Sequence, residues 1–117
     1  MSPQNMAPLQ GDVWLANFDP TKGREQSGAR PCLVVSVDAF NHGPLDLTVV
    51  IPMTSTRRGW PTHVEIQPPE GGLKNTSFIK CEDVRSVSTE RLIKRLGTVS
   101  EKNMATVADR LRIIIGL

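Results

Sequence analysis

The chain has 117 residues, two cysteines, 38% hydrophobic residues and a net charge of +2 from 14 basic and 12 acidic side chains. That length suits one domain with one modest core, and the charge is too small for a protein that packs DNA. No run approaches the roughly 18 apolar residues of a membrane helix.

Residues 1–10, MSPQNMAPLQ, have neither a basic start nor an apolar stretch. They read as a flexible lead-in rather than a secretory signal, so a cytoplasmic protein with one domain over residues 11–117 is expected. VWLANF, residues 13–18, is strand-like. DPTKGREQSGAR then breaks the pattern with a proline, two glycines and several charges. PCLVVSV, residues 31–37, is β-branched and short enough for a buried strand. DAFNHGP is a connector with room for one helical turn, and LDLTVVIPM, residues 45–53, is a further strand. TSTRRGWP forms a second polar loop, and THVEIQ, residues 62–67, alternates as a half-buried strand does. PPEGG is a turn, and TSFIKCEDVRSVS, residues 76–88, is one long or two short strands. A short piece from Leu92 to Val99 follows.

After Val99 the period changes. Ser100 suits an N-cap, and Glu101 sits where the helix dipole favours an acid. Met104, Val107, Ala108, Leu111, Ile114 and Ile115 then make one apolar stripe, so a helix over about 100–115 is expected, with Ile113 off the stripe. Closely spaced short strands and one terminal helix predict a small barrel or curled sheet, mostly antiparallel, with the helix closing an open side.

The chemistry concentrates in the two polar loops. Lys22, Arg24, Arg30, Arg57 and Arg58 all fall in or beside them. Such loops at one end of a compact fold make a phosphate-binding patch, or else a solvated surface. Cys32 and Cys81 sit far apart in apolar runs. Two reduced core thiols are expected rather than a metal site, and His42 and His63 do not alter that. No metal and no cofactor is expected.

GDVWLANFDPTKGREQSGARPCLVVS resembles the N-terminal half of the MazF/PemK toxins, bacterial endoribonucleases of toxin–antitoxin systems. VVIPMTSTRRGWPTHVEI resembles their third strand, the loop after it and their fourth strand. The motif G-x-E-Q-x-G-x-R-P before an apolar strand, together with P-x-T-S further on, carries the likeness. The resemblance implies an SH3-like barrel of five to seven strands with added helices, a homodimer, and metal-independent cutting of single-stranded RNA. It also implies a protein antitoxin, expected to bring an acidic disordered tail, with DNA contacted only through the toxin–antitoxin complex.

The resemblance carries catalytic roles onto Arg30 and Thr54. Cleavage by a ribose 2′-OH needs alignment, two proton movements and stabilisation of charge on the phosphate oxygens. The planar fork of Arg30 suits the last task, and its pKa above 12 makes it a clamp rather than a base. The Thr54 hydroxyl can donate to a phosphate oxygen. Glu25 is either the base or the partner that holds Arg24 or Arg30. Lys22, Arg24, Gln26, Ser27, Ser55, Arg57, Arg58, Trp60 and Glu82 are candidate RNA contacts. Asn17 stands where close relatives often have an aspartate. Lys80 and Glu82, with Cys81 between them, stand where the PemK branch carries Arg-x-Asp.

Each residue has a plainer reading. Glu25 with an arginine makes a surface ion pair, and Thr54 caps a turn. Arg57 and Arg58 are solvated loop charges, and His63 is a half-exposed strand residue. Trp14 belongs to the core or is covered by a partner. Two other functions stay open at this point. One is a toxin of the same fold acting on a protein such as gyrase, whose representatives lack the Glu-Gln…Arg-Pro loop. The other is a non-catalytic binding barrel. The residues do not specify the cleavage sequence or the antitoxin.

Overall fold

A computed structural model describes residues 7–18 and 28–117. Its strands are β1 (Asp12–Asn17), β2 (Ala29–Val34), β3 (Leu47–Thr54), β4 (His63–Ile66), β5 (Ser77–Lys80), β6 (Arg85–Ser88) and β7 (Leu92–Thr98). The helices are α1 (Asp38–Asn41) and α2 (Glu101–Ile115), and single 3-10 turns cover Glu70–Gly72, Cys81–Asp83 and Thr89–Arg91. The strands form one antiparallel sheet in the order β4-β5-β3-β2-β1-β7, with β6 also on β3. This is the expected mainly β architecture with a C-terminal helix.

β3 is the spine. Its eight residues pair with β6 over Leu47–Val50, with β2 over Val50–Pro52, and with β5 at Met53 and Thr54. One strand serving three partners makes the sheet curl. The edge strands β4 and β7 are not paired with each other. Instead the Glu70–Gly72 turn packs on β7, and α2 packs across β4 and the Cys81–Asp83 turn.

The curl buries both faces of the central strands. Val13, Leu33, Ile51, Met53, Val64 and Ile79 point inward with Val107 of α2. Trp14, Ala16, Cys32, Val34 and Val50 form a second cluster on the other face, covered by Phe18, Val87 and Leu92. Burial on both faces explains why the strands read as continuous apolar runs. Trp14 therefore belongs to the chain's own core, at 8% exposure, and a partner is not needed to cover it. Its Nε1 donates to the buried Asp12 carboxylate at 3.1 Å, which also accepts from Leu9 N and Arg95 Nε.

Ser100 caps α2 by accepting from Asn103 N at 3.1 Å. Glu70 reinforces the same end, accepting from Ser100 N at 2.8 Å and from Asn103 Nδ2. Burial opposes ionisation of Glu70, but these donors outweigh it and hold the carboxyl below its ordinary range. Met104, Val107 and Leu111 reach the core as expected. The stripe fails in the last turn, because the core ends there: Ile114 and Ile115 are exposed like Ile113.

Candidate nucleic-acid interface

Arg30 and Thr54 are strand residues, not loop residues. β2 starts at Ala29, two positions before the apolar run, and β3 continues through Thr54. The β2–β3 register pairs Cys32 with Pro52. Continued by two residues, it sets Arg30 opposite Thr54, and directly opposed residues share a face of the sheet. Both line one cleft of ≈ 330 Å³, together with Ser55, Lys74, Asn75 and Ser77. Among the described residues the Arg30 side chain has no hydrogen-bond or ion-pair partner, and it is exposed. The Thr54 oxygen accepts from Thr56 N at 3.2 Å, so it does cap a turn. That bond uses a lone pair and leaves the hydroxyl proton for another acceptor.

Lys74 and Asn75 were not singled out from the sequence. They stand in the segment after PPEGG, whose only signal was turn chemistry. The turn folds back beneath β7, where Gly72 lies so close to Leu96 O that a Cβ would come within 1.9 Å. That approach brings Lys74 to the cleft.

The row continues across the sheet. Thr54 pairs with Phe78, and Phe78 pairs with Glu65. Arg57 folds back over this row from the β3–β4 loop. Its guanidinium lies 4.9 Å from the Phe78 ring centre and donates to both Glu65 oxygens, at 3.0 and 3.3 Å. The bonds from Arg57 hold the Glu65 carboxyl below its ordinary range. Gln67 Nε2 also donates to Glu65, and Thr76 donates to Gln67. Arg57 is thus an engaged charge rather than a merely solvated one.

Arg58 stands over the Trp60 ring at 5.4 Å, and Trp60 is 49% exposed. The other neighbour of Trp60 is His63, with ring centres 5.0 Å apart. His63 corrects the expectation of a half-exposed side chain: only 3% of it is accessible, because the loop carrying Trp60 covers it. Its Nε2 donates to Glu82 at 3.0 Å, and the Thr62 hydroxyl donates to the same carboxylate at 2.7 Å. Burial works against the Glu82 charge, yet these bonds and a backbone donor hold its pKa down. Lys80 lies beside Asp83, 3.5 Å away, and Arg85 binds that aspartate at 2.7 Å. The Lys80 and Glu82 charges are therefore held by separate partners. Cys81, between them, is buried, and desolvation pushes its thiol up to about 11; burial takes Cys32 to about 12. Neither is a thiolate nucleophile at neutral pH.

Lys22, Arg24, Glu25, Gln26 and Ser27 lie outside the described residues. The chain enters and leaves that segment side by side, with Phe18 N donating to Gly28 O at 2.8 Å. Both ends stand at the same end of strands β1 and β2 as Arg30.

Residues 9–115 match the PemK-like, MazF-like toxin family of type II toxin–antitoxin systems. The chain is 35% identical over 109 residues to an Endoribonuclease MazF of Staphylococcus epidermidis, covering 92% of this chain and 91% of that protein. It superposes on a MazE–MazF crystal structure from Deinococcus radiodurans with a TM-score of 0.81 and 30% identity, over 97% of this chain and 99% of that one. A mycobacterial endoribonuclease in complex with its cognate antitoxin superposes with a TM-score of 0.76 and 28% identity, over 95% and 97% of the two chains.

Proposed function

The chain belongs to the PemK-like, MazF-like toxin family of type II toxin–antitoxin systems, and on that premise we propose that it is a sequence-specific, metal-independent endoribonuclease that cuts single-stranded RNA. The observation that supports this best is the meeting of Arg30 and Thr54 at one cleft, on neighbouring strands.

In this reading a ribose 2′-OH attacks the adjacent phosphorus, the bond from phosphorus to the 5′ oxygen breaks, and that oxygen leaves with a proton from water. The Arg30 fork grips the non-bridging oxygens as charge builds on them. Thr54 donates its hydroxyl proton to one of those oxygens, and Lys74 adds a further positive charge to the cleft. Glu25 takes the proton of the attacking hydroxyl. Exposed Trp60 offers a face for a base, and its partner Arg58 contributes a cation. The protein works as a homodimer in the cytoplasm. A separate antitoxin chain with an acidic tail covers the basic face, its carboxylates replacing RNA phosphates.

The test is incubation of the purified protein with a long single-stranded RNA in EDTA, followed by analysis of the ends. The expected products carry a 2′,3′-cyclic phosphate and a 5′-OH. A 2′-deoxyribose at the cut position should block the reaction. Intact RNA would move the function to a protein target, and 5′-phosphate ends would mean attack by water.

A further inference from the structure

The Arg57–Glu65 pair poses a problem for the reading above, on which this inference rests. A face that binds RNA needs positive charge, yet Arg57 is closed on a carboxylate two strands from Thr54 in the same row. We propose that Arg57 is an exchangeable phosphate contact: its guanidinium is held by Glu65 in the free protein and passes to an RNA phosphodiester when a strand seats on the Thr54 row.

The geometry of the pair is the geometry of the replacement. Arg57 gives two N–H bonds to two oxygens of one planar anion. A phosphodiester offers the same two acceptors to the same fork. The Phe78 ring beneath fixes the guanidinium plane for either partner. Phe78 is the cross-strand neighbour of Thr54, so with strands about 4.8 Å apart Arg57 sits about 10 Å from the Arg30 strand. A strand gripped at Arg30 and Thr54 thus carries its next phosphates towards Arg57.

The exchange is also easy. Both side chains are open to water, at 64% and 34% exposure, and an exposed ion pair is cheap to part. Gln67, held by Thr76, keeps a donor on the released Glu65. Closed, the pair is neutral at a distance and gives stray polyanions little to bind. Only a seated strand brings a phosphate near enough to compete, so Glu65 sharpens selection for the correct strand.

The test is binding of a uniformly 2′-O-methylated single-stranded oligonucleotide, which lacks the nucleophile, across a range of salt. Glu65→Gln should bind about two- to fivefold tighter than wild type, the gain expected from no longer parting an exposed pair. Its log K against log salt should keep the wild-type slope, because Arg57 meets the phosphate in both proteins, whereas the double variant Arg57→Gln/Glu65→Gln should lose about 0.7 of it, one phosphate of a single strand. The double variant should also lack the gain in affinity. Melting temperatures close to wild type would certify that both variants fold. Equal affinity for Glu65→Gln and wild type, or a wild-type slope no steeper than that of the double variant, would overturn the exchange. So would a double variant that keeps the gain, because Glu65 would then act by repulsion alone. If wild type cuts RNA and its slope matches that of the double variant, only this inference falls; if wild type neither binds nor cuts, the ribonuclease reading falls with it.

Discussion

Arg30→Ala separates catalysis from folding more cleanly than any other change here. The side chain is exposed and has no partner among the described residues, so removal should cost stability within about 0.5 kcal/mol. Its strand position keeps its backbone bonds, because β2 pairs Arg30 with Ala16 through the main chain. The catalytic loss should be far larger. Removing one donor aimed at developing charge typically costs about 10²- to 10³-fold, or roughly 3–4 kcal/mol. Arg30→Lys should fall between, since lysine keeps the charge but cannot grip two oxygens at once. The assay is single-turnover cleavage of a single-stranded RNA in EDTA, with a thermal melt of each variant. An Arg30→Ala protein that melts like wild type and cuts within about threefold of its rate would refute the clamp. A protein that loses activity only by melting early would refute the separation.

Thr54→Val should slow the same reaction by about 10-fold or more while leaving the 2′,3′-cyclic phosphate end unchanged, as read by mass spectrometry, since one neutral donor is lost and the nucleophile is not. Glu70→Gln should weaken the anchoring of α2 by about 1 kcal/mol at neutral pH, after allowance for solvent screening. Because the folded pKa of Glu70 lies below its ordinary 4.5, this contribution is present above that value and is lost as pH falls through the lower folded one. Urea melts of the two proteins should therefore converge in acid, and a difference that grows there would contradict the assignment. Gly72→Ala should lower the melting temperature by on the order of 10 °C, because its φ of 70° is strained and its Cβ meets Leu96 O, which belongs to the backbone and cannot step aside. Gly59→Ala, at a similar φ of 72° but in open space, should cost about 1 kcal/mol, and equal losses at the two sites would discount the contact.

The strands were legible because the central ones bury both faces and so read as unbroken apolar runs, while β4 alternates. The end of the chain was legible because its period changes after Ser100. What escaped reading lies where polar residues join strands. Nothing in Gly28, Ala29 and Arg30 signals strand; the register to β1 decides it. Thr54 was expected just past a strand end and is the strand's last residue. His63 alternates outward and yet is covered, because burial there comes from a loop rather than from the sheet. The Arg57–Glu65 pair spans eight residues of chain, too far for a helical spacing and invisible to a strand pattern.

The second loop also turns out to be braced rather than soft. Arg57 ties it to β4, Trp60 rests on His63, and Thr62 bonds Glu82 in the turn after β5. From the other side, Arg110 of α2 donates to Pro61 O at 2.9 Å. The three anchors at residues 60–62 stay closed when Arg57 exchanges, and they leave the loop little freedom to fold around a strand on arrival. Ordering entropy on this side of the site is thus spent during folding, not at binding. A braced loop presents one fixed set of shapes and donors, and a fixed set discriminates among bases better than one that adapts to each. The reaction then has a division of labour. On the proposed reading the β3–β4 loop chooses the strand, β2 and β3 hold the phosphate, and the β1–β2 connection brings the acid–base group. On that division, exchanging residues 57–60 should change which sequence is cut, whereas changes at Arg30 should alter only how fast.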